Sequence, residues 1–323
     1  MLLRFYNKYF FKILSKKCSL SLLLLKKCFY FLLFSLIFNN NVSAQTIVMR
    51  IALQTPETDF LNLSLLEFEK RVEILSNGTI DVELLHSGSL SKDDDMPNAV
   101  NSGLVEAGVV SLNRYIKEVP SVDIFFQPFI FKTKEKYEKS IFPTSEIRLS
   151  LETEINKFGS KVLFWLPYGN VVFISNNFPI LRPSDLEEKK VRIFSKTLGN
   201  LVLASRATPK IVPNSRQYFS YQTGEADIGM TYLSSINNLK LWEIMDTLTL
   251  SNHARLEFII ITNNLWWQQL SFRNKEIIKR AASETEEFSR NFFIESENKI
   301  IKDLKERGMM IYRMEKNDLE LWK

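Results

Sequence analysis

From Ile47 to Ser111 the chain alternates between segments with the period of a strand and segments with the period of a helix. That order restricts it to a largely parallel sheet covered by helices. Ile47–Gln54 (IVMRIALQ) reads as a strand that ends at the loop Thr55-Pro56-Glu57-Thr58-Asp59. Helical spacing follows through Leu63, Leu66, Phe68, Val72 and Leu75, and Asn77-Gly78 stops it, because glycine accepts the left-handed conformation at a helix end. Thr79–Leu85 alternates as a second strand. Asp93–Ser102 is a short helix whose leading aspartates complement its dipole, and Ala107–Ser111 (AGVVS) has the composition of a buried strand.

The pattern then recurs with different residues. Strands are expected at Lys161–Trp165, Val171–Ser175, Lys190–Phe194 and Asp227–Met230, and Ala254–Thr262 is the longest strand candidate. Between them come a short helical start at Pro183–Leu186 and helices at Leu198–Arg206 and Gln217–Thr223. From Asn274 to about Lys305 the sequence is one long charged amphipathic helix, with a break expected near Arg290. Two α/β halves joined by extended crossings fit this order better than one barrel. In such folds a ligand binds beyond the carboxyl ends of the strands, in the crevice between parts.

Charge separates the first 44 residues from the rest. They hold seven of the 42 Lys and Arg and no Asp or Glu, so the remainder has 35 basic against 37 acidic residues. The formal charge of +5 is therefore a property of the leader and gives no reason to expect nucleic-acid binding. The leader has a basic segment, the apolar run Phe29–Phe38 and a polar stretch ending Val42-Ser43-Ala44, the three parts of a secretory signal peptide over residues 1–44. Its apolar run is short of the roughly 20 residues a spanning helix needs, which places a cleavage after Ala44 ahead of an uncleaved anchor. Both cysteines, Cys18 and Cys28, lie in this leader. The mature chain therefore has no disulfide, no thiolate chemistry and no Cys-ligated metal.

Catalytic constellations are missing. The sequence contains no glycine-rich phosphate loop, no G-x-S-x-G elbow and no H-E-x-x-H. His86 and His253 are the only histidines, too few for a histidine-based metal site, and Asp93-Asp94-Asp95 reads as a solvated helix start rather than a metal cluster. No cofactor is expected, and Trp165, Trp266 and Trp267 read as core.

Seven stretches in order resemble the solute-binding proteins of TRAP transporters, the DctP-type family. They are IALQTPETDF from Ile51, Glu73–Leu85, Gly103–Ser111, Gln127–Phe131 (QPFIF), Asp185–Phe194 (DLEEKKVRIF), Pro209–Asp227 and Leu248–Ala254 (LTLSNHA). The resemblance implies a two-lobed periplasmic binding protein, type II-like, with a hinged central cleft and a long C-terminal helix. One lobe would comprise residues 45–170 plus about 255–290, the other residues 171–254 plus about 291–323. It also implies a periplasmic receptor that captures a small organic acid and delivers it to membrane-embedded permease subunits, with no catalysis and no nucleotide site. The binding component of another importer or sensor, or an exported enzyme on a similar scaffold, stand as alternatives.

In the family the arginine of the K-V-R-I strand holds the ligand carboxylate, and Arg192 stands at that position. A guanidinium offers a planar fork of donors that matches a carboxylate. A second arginine frequent in the family should fall within Tyr168–Asn176, where Val171 takes its place. Met230 replaces a usual acid, Arg216 another, and Glu188 a usual glycine. These departures imply a less polar site than one for a dicarboxylate or sugar acid. Further contacts are expected from residues at strand ends: Gln54 and Thr55, Asn113 and Arg114, Tyr168 and Asn170, and Thr231 and Tyr232.

Overall fold

The computed structural model describes residues 46–322 apart from Lys92 and Lys132; the leader and its expected cleavage point lie outside the described residues. Two mixed sheets organise the chain. The first has the order β2-β1-β3-β10-β4, with β1 Ile47–Ala52, β2 Ile80–Leu85, β3 Ala107–Ser111, β4 Ser160–Asn170 and β10 Arg255–Asn263. The second has the order β11-β9-β5-β8-β6-β7, with β5 Val172–Ser175, β6 Lys190–Ile193, β7 Thr208–Ile211, β8 Ile228–Thr231, β9 Thr247–Leu250 and β11 Met310–Arg313.

Neither sheet is purely parallel. β10 runs antiparallel to both β3 and β4, and β5 runs antiparallel to both β8 and β9. Both reversals occur where the chain crosses from one sheet to the other, at Asn170–Val172 and at Ser251–Arg255. A strand entering from the opposite sheet arrives without a covering helix of its own, so it is free of the right-handed crossover that fixes parallel neighbours. The chain beyond β10 forms the helix Phe272–Glu306, which is unbroken through Arg290. It packs on β4 and on the helix Phe60–Ser76, touches the helix Leu233–Asn238, and leads to β11 at the edge of the second sheet.

Local signals account for the elements that shape the crevice. Asp59 caps the helix Phe60–Ser76 by accepting from the Leu61 amide at 2.9 Å, and Asn77 closes the other end in the left-handed region. The stripe this helix buries runs through Leu61, Leu65, Phe68 and Val72, whereas Leu63 and Leu66 are partly exposed. Burying Phe68 completely contributes about 1.5–3 kcal/mol. Trp165 and Trp267 are core residues, and Trp266 packs against the core half-buried. Among the described residues no helix is long and apolar enough to cross a membrane.

The second crossing is packed by rings. His253 is fully buried, its imidazole stacked on Phe173 with centroids 4.6 Å apart, and Trp322 stacks on the same phenyl ring at 5.7 Å. Nδ1 of His253 lies 2.7 Å from the Ser251 hydroxyl. Burial pushes its pKa down to about 3, so the ring is neutral at physiological pH.

Candidate functional site

Arg192 is the largest charged side chain that the fold buries completely. It lies on β6 between β7 and β8, opposite Lys210 and Gly229, with 1% of its surface exposed. Its Nε donates to the Val212 carbonyl at 2.9 Å and one terminal nitrogen donates to the Met230 carbonyl at 2.7 Å. The remaining donors make no hydrogen bond, and no carboxylate pairs with the guanidinium, among the described residues. Aromatic groups take that place. The guanidinium carbon stands 5.2 Å from the centroid of Phe194, and the Tyr221 and Tyr232 phenols are close enough to favour its charged form. Burial outweighs them and lowers the pKa of Arg192 below its ordinary value.

Gly229 makes room for one of these phenols. A Cβ at this position would lie 2.1 Å from the Tyr221 hydroxyl oxygen, so only a residue without a side chain lets that ring pack against β8. The hydroxyl donates to Gln217 at 3.1 Å, which holds the ring beside Arg192.

A row of five rings extends from this point across both sheets. Phe126 meets Phe194 (6.1 Å between centroids), Phe194 meets Tyr232 (5.1 Å), Tyr232 meets Tyr168 (5.6 Å), and Tyr168 meets Phe258 (4.8 Å). Two aspartates tie elements of the two sheets together near this row. Asp59, buried after β1, accepts from the Tyr168 hydroxyl at 3.3 Å and from Asn238 Nδ2 at 2.5 Å, the latter on the helix that follows β8. Desolvation raises the pKa of Asp59, against the pull of these donors. Asp123, three residues before Phe126, accepts from Thr197 and from Gln127 Nε2, the latter at 3.0 Å.

The expected contact residues separate into two groups. Arg192, Thr231, Tyr232 and Tyr168 lie on or beside the ring row, and the Thr55 hydroxyl lies by Asp59 without closing a hydrogen bond. Asn170 ends β4 at the first crossing. The side-chain oxygens of Thr55, Asn170 (Oδ1) and Thr231 are buried and have no hydrogen-bond partner among the described residues. Asn170 and Thr231 end β4 and β8 and Thr55 follows β1, so these oxygens sit beyond the strand ends of both sheets, where a ligand group could reach them. The second group is more exposed. Arg114 forms an ion pair with Asp94 at 2.5 Å on the surface, Asn113 accepts from Ser111, and Gln54 is half-buried. Sequence reasoning missed Phe194, Tyr221, Asp59 and Asn238. Phe194 follows Arg192 at the next same-face position of an extended strand and was available from period two. No local signal announces Asn238.

Residues 51–323 match the family described as bacterial extracellular solute-binding protein, family 7 (DctP). A C4-dicarboxylate-binding periplasmic protein of Rhodobacter capsulatus is 27% identical over 245 residues, covering 75% of this chain and 72% of that protein. A 2,3-diketo-L-gulonate-binding periplasmic protein of Escherichia coli is 20% identical over 273 residues, covering 84% and 82%. Among solved structures, a TRAP periplasmic solute-binding protein of Sulfurospirillum deleyianum with bound succinate superposes with a TM-score of 0.78 at 25% identity, over 85% of this chain and 90% of that one. A Sulfitobacter protein of the same kind with bound β-D-galacturonate gives 0.78 at 20% identity, over 85% and 92%. The chain belongs to family 7 of the bacterial extracellular solute-binding proteins, the DctP family of TRAP transporters.

Proposed function

We propose that this chain is a receptor exported to the periplasm by its leader, that it closes on a small organic acid, and that it delivers the acid to membrane-embedded permease subunits. Arg192 holds the ligand carboxylate. Thr231, Tyr232, Tyr168, Asn170 and Thr55 supply the surrounding wall and hydrogen bonds. The single observation that carries this reading is a fully buried guanidinium with free donors and no carboxylate partner among the described residues. A buried, unpaired charge is unfavourable by several kcal/mol unless an opposite charge reaches it. A ligand carboxylate would remove that penalty, so the affinity and the closed arrangement have one source. Relatives that bind C4-dicarboxylates, and solved ones that hold succinate or a sugar acid, support the same chemistry here.

The two lobes on this reading are residues 45–170 with about 255–290 and residues 171–254 with about 291–323, rotating about the crossings at Asn170–Val172 and Ser251–Arg255. Capture and release need only differential affinity for the closed state, so no bond in the solute is made or broken.

A thermal-shift screen of the exported protein against small carboxylates tests this. A ligand at about 100 times its Kd adds about 2.7 kcal/mol of stability, a rise of several degrees for a chain of this size. Arg192→Ala is expected to abolish that rise. Equal ligand stabilisation of Arg192→Ala and the parent would sink the clamp.

A further inference from the structure

Two side-chain hydrogen bonds join the lobes proposed above, and they are built alike. Asp59, which caps the helix Phe60–Ser76, receives Asn238 Nδ2 from the helix Leu233–Asn238. Asp123, on the 3-10 helix Pro120–Phe126, receives the Thr197 hydroxyl from the helix Lys196–Ala204. In each pair the acceptor belongs to the lobe that contains β1 and the donor to the lobe that contains β6. Each acceptor is also held by donors of its own lobe. For Asp59 these are the Leu61 amide at 2.9 Å and the Tyr168 hydroxyl at 3.3 Å, and for Asp123 it is Gln127 Nε2 at 3.0 Å. The pairs share no residue, and both cross-lobe donors are uncharged.

An acceptor fixed before the lobes meet loses little freedom when the other lobe's donor arrives, so most of the bond's worth goes to the closed arrangement. Opening the crevice breaks both bonds and returns their groups to water. Asn238 and Thr197 are half-buried, which partly shields each bond from competing water while the lobes are together. An uncharged donor keeps each bond modest: it adds to closure around a bound solute without locking an empty crevice shut. Burial raises the pKa of Asp59, but a carboxyl group accepts in either protonation form, so the Asn238 bond does not depend on its charge.

We infer that Asn238 and Thr197 are positioning residues: they latch the two lobes together and so set the affinity for the solute without touching it. This rests on the closing receptor proposed above. The latches form only after the solute has entered, so they govern its release more than its capture.

Isothermal titration and stopped-flow mixing of the exported protein with succinate, D-galacturonate and butyrate test this. For each acid that binds, Asn238→Ala and Thr197→Val are each expected to weaken binding about fivefold to tenfold, through faster dissociation, with association within about twofold of the parent. The two losses should multiply in the double variant, because the pairs have no partner in common. Either single variant carries the test if the other fails to fold. Thr197→Ser, which keeps the hydroxyl, is expected to bind as the parent does, and the unliganded variants are expected to keep the parent's urea midpoint. Affinity unchanged in both single variants, with binding lost in Arg192→Ala, would overturn the latches and leave the receptor reading standing. An affinity loss that comes with an equal fall in unliganded stability, or that persists in Thr197→Ser, would make these contacts part of the scaffold and overturn the inference in the same way. No binding of any of the three acids would overturn both readings together.

Discussion

Two buried arginines stand in opposite circumstances. Arg148, on the helix Glu146–Asn156, donates to both oxygens of Glu286 at 2.5 and 2.9 Å, to Glu152 at 2.7 Å and to the Ile141 carbonyl at 3.1 Å. Glu286 also accepts from Arg290 at 3.0 Å and from the Trp165 amide at 3.1 Å, and Arg290 reaches Glu257 at 3.4 Å. Tyr137 donates to Glu257 as well. This network joins the long helix to the first sheet, and every charge in it has an opposite neighbour. Arg192 has comparable burial and no such neighbour among the described residues. The consequence appears in the direction of their pKa shifts. Burial lowers both, but Glu286 and Glu152 reverse the sign for Arg148, while the phenols around Arg192 do not. A compensated arginine belongs to the scaffold, and an uncompensated one points to a charge that arrives from outside.

Truncating each arginine separates the two cases most sharply. Arg148→Ala leaves Glu286 and Glu152 with an excess of negative charge in the interior and is expected to lower the unfolding free energy by about 3–5 kcal/mol. Arg192→Ala removes a charge that nothing in the chain neutralises. Its unliganded stability should change by no more than about 1 kcal/mol, because two lost carbonyl bonds are offset by a relieved desolvation penalty. Urea titrations of both variants without ligand measure this. A loss in Arg192→Ala as large as that in Arg148→Ala would make Arg192 a scaffold residue and erase the contrast.

His253 sharpens the comparison from a third side, since it escapes burial cost by staying neutral. Its folded pKa of about 3 lies below the ordinary 6.5, so between these values the unfolded chain binds the extra proton. Stability therefore rises with pH across that window and falls as pH drops from 6.5. At 1.36 kcal/mol per unit, the contribution lost by pH 4 is roughly 3 kcal/mol. Burial raises Glu297 to about 7 and raises Asp59 and Glu257 as well, and these carboxyls act with the opposite sign over the same range. The His253 contribution is therefore the difference between the parent and His253→Gln in urea titrations from pH 7 to 4, a difference expected to shrink as pH falls. The depressed pKa of Glu286 adds a loss of the same sign at lower pH, and because it is present in both proteins it cancels from the difference between parent and His253→Gln.

Much of the scaffold was legible because its signals are local. The alternation at β1 and β2, the AGVVS strand and the charged stripe of Phe272–Glu306 each follow from period and composition within a few residues. Strand direction was not legible: ARLEFIIIT reads the same whether β10 lies parallel or antiparallel to β3. β7 escaped because Pro209 sits within it and its burial is partial, a composition that reads as loop unless the strand is known to lie at a sheet edge. The site was legible only where a motif held it. Arg192 lies in KVRI, inside a stretch with family resemblance, whereas the Asp59–Asn238 contact joins positions 179 residues apart and leaves no trace in either neighbourhood.

The smallest expected effect concerns the buried oxygens beyond the strand ends. Thr231 is fully buried on β8, next to the Met230 carbonyl that receives Arg192, and its hydroxyl has no partner among the described residues. Valine has the same shape without the hydroxyl. If that oxygen were satisfied only within the chain, Thr231→Val would lose about 1 kcal/mol of unliganded stability, the usual net worth of one hydrogen bond. With no such bond to lose, the variant should be as stable as the parent or slightly more so, because burying an unpaired hydroxyl is itself unfavourable. The deficit should appear only with ligand present, as a loss of affinity of about threefold to tenfold, equivalent to about 0.7–1.4 kcal/mol. Thermal unfolding with and without ligand reads both quantities from one pair of samples. A Thr231→Val protein that is destabilised alone, yet gains as much from ligand as the parent, would move Thr231 from the crevice to the scaffold and leave Arg192 with one fewer companion.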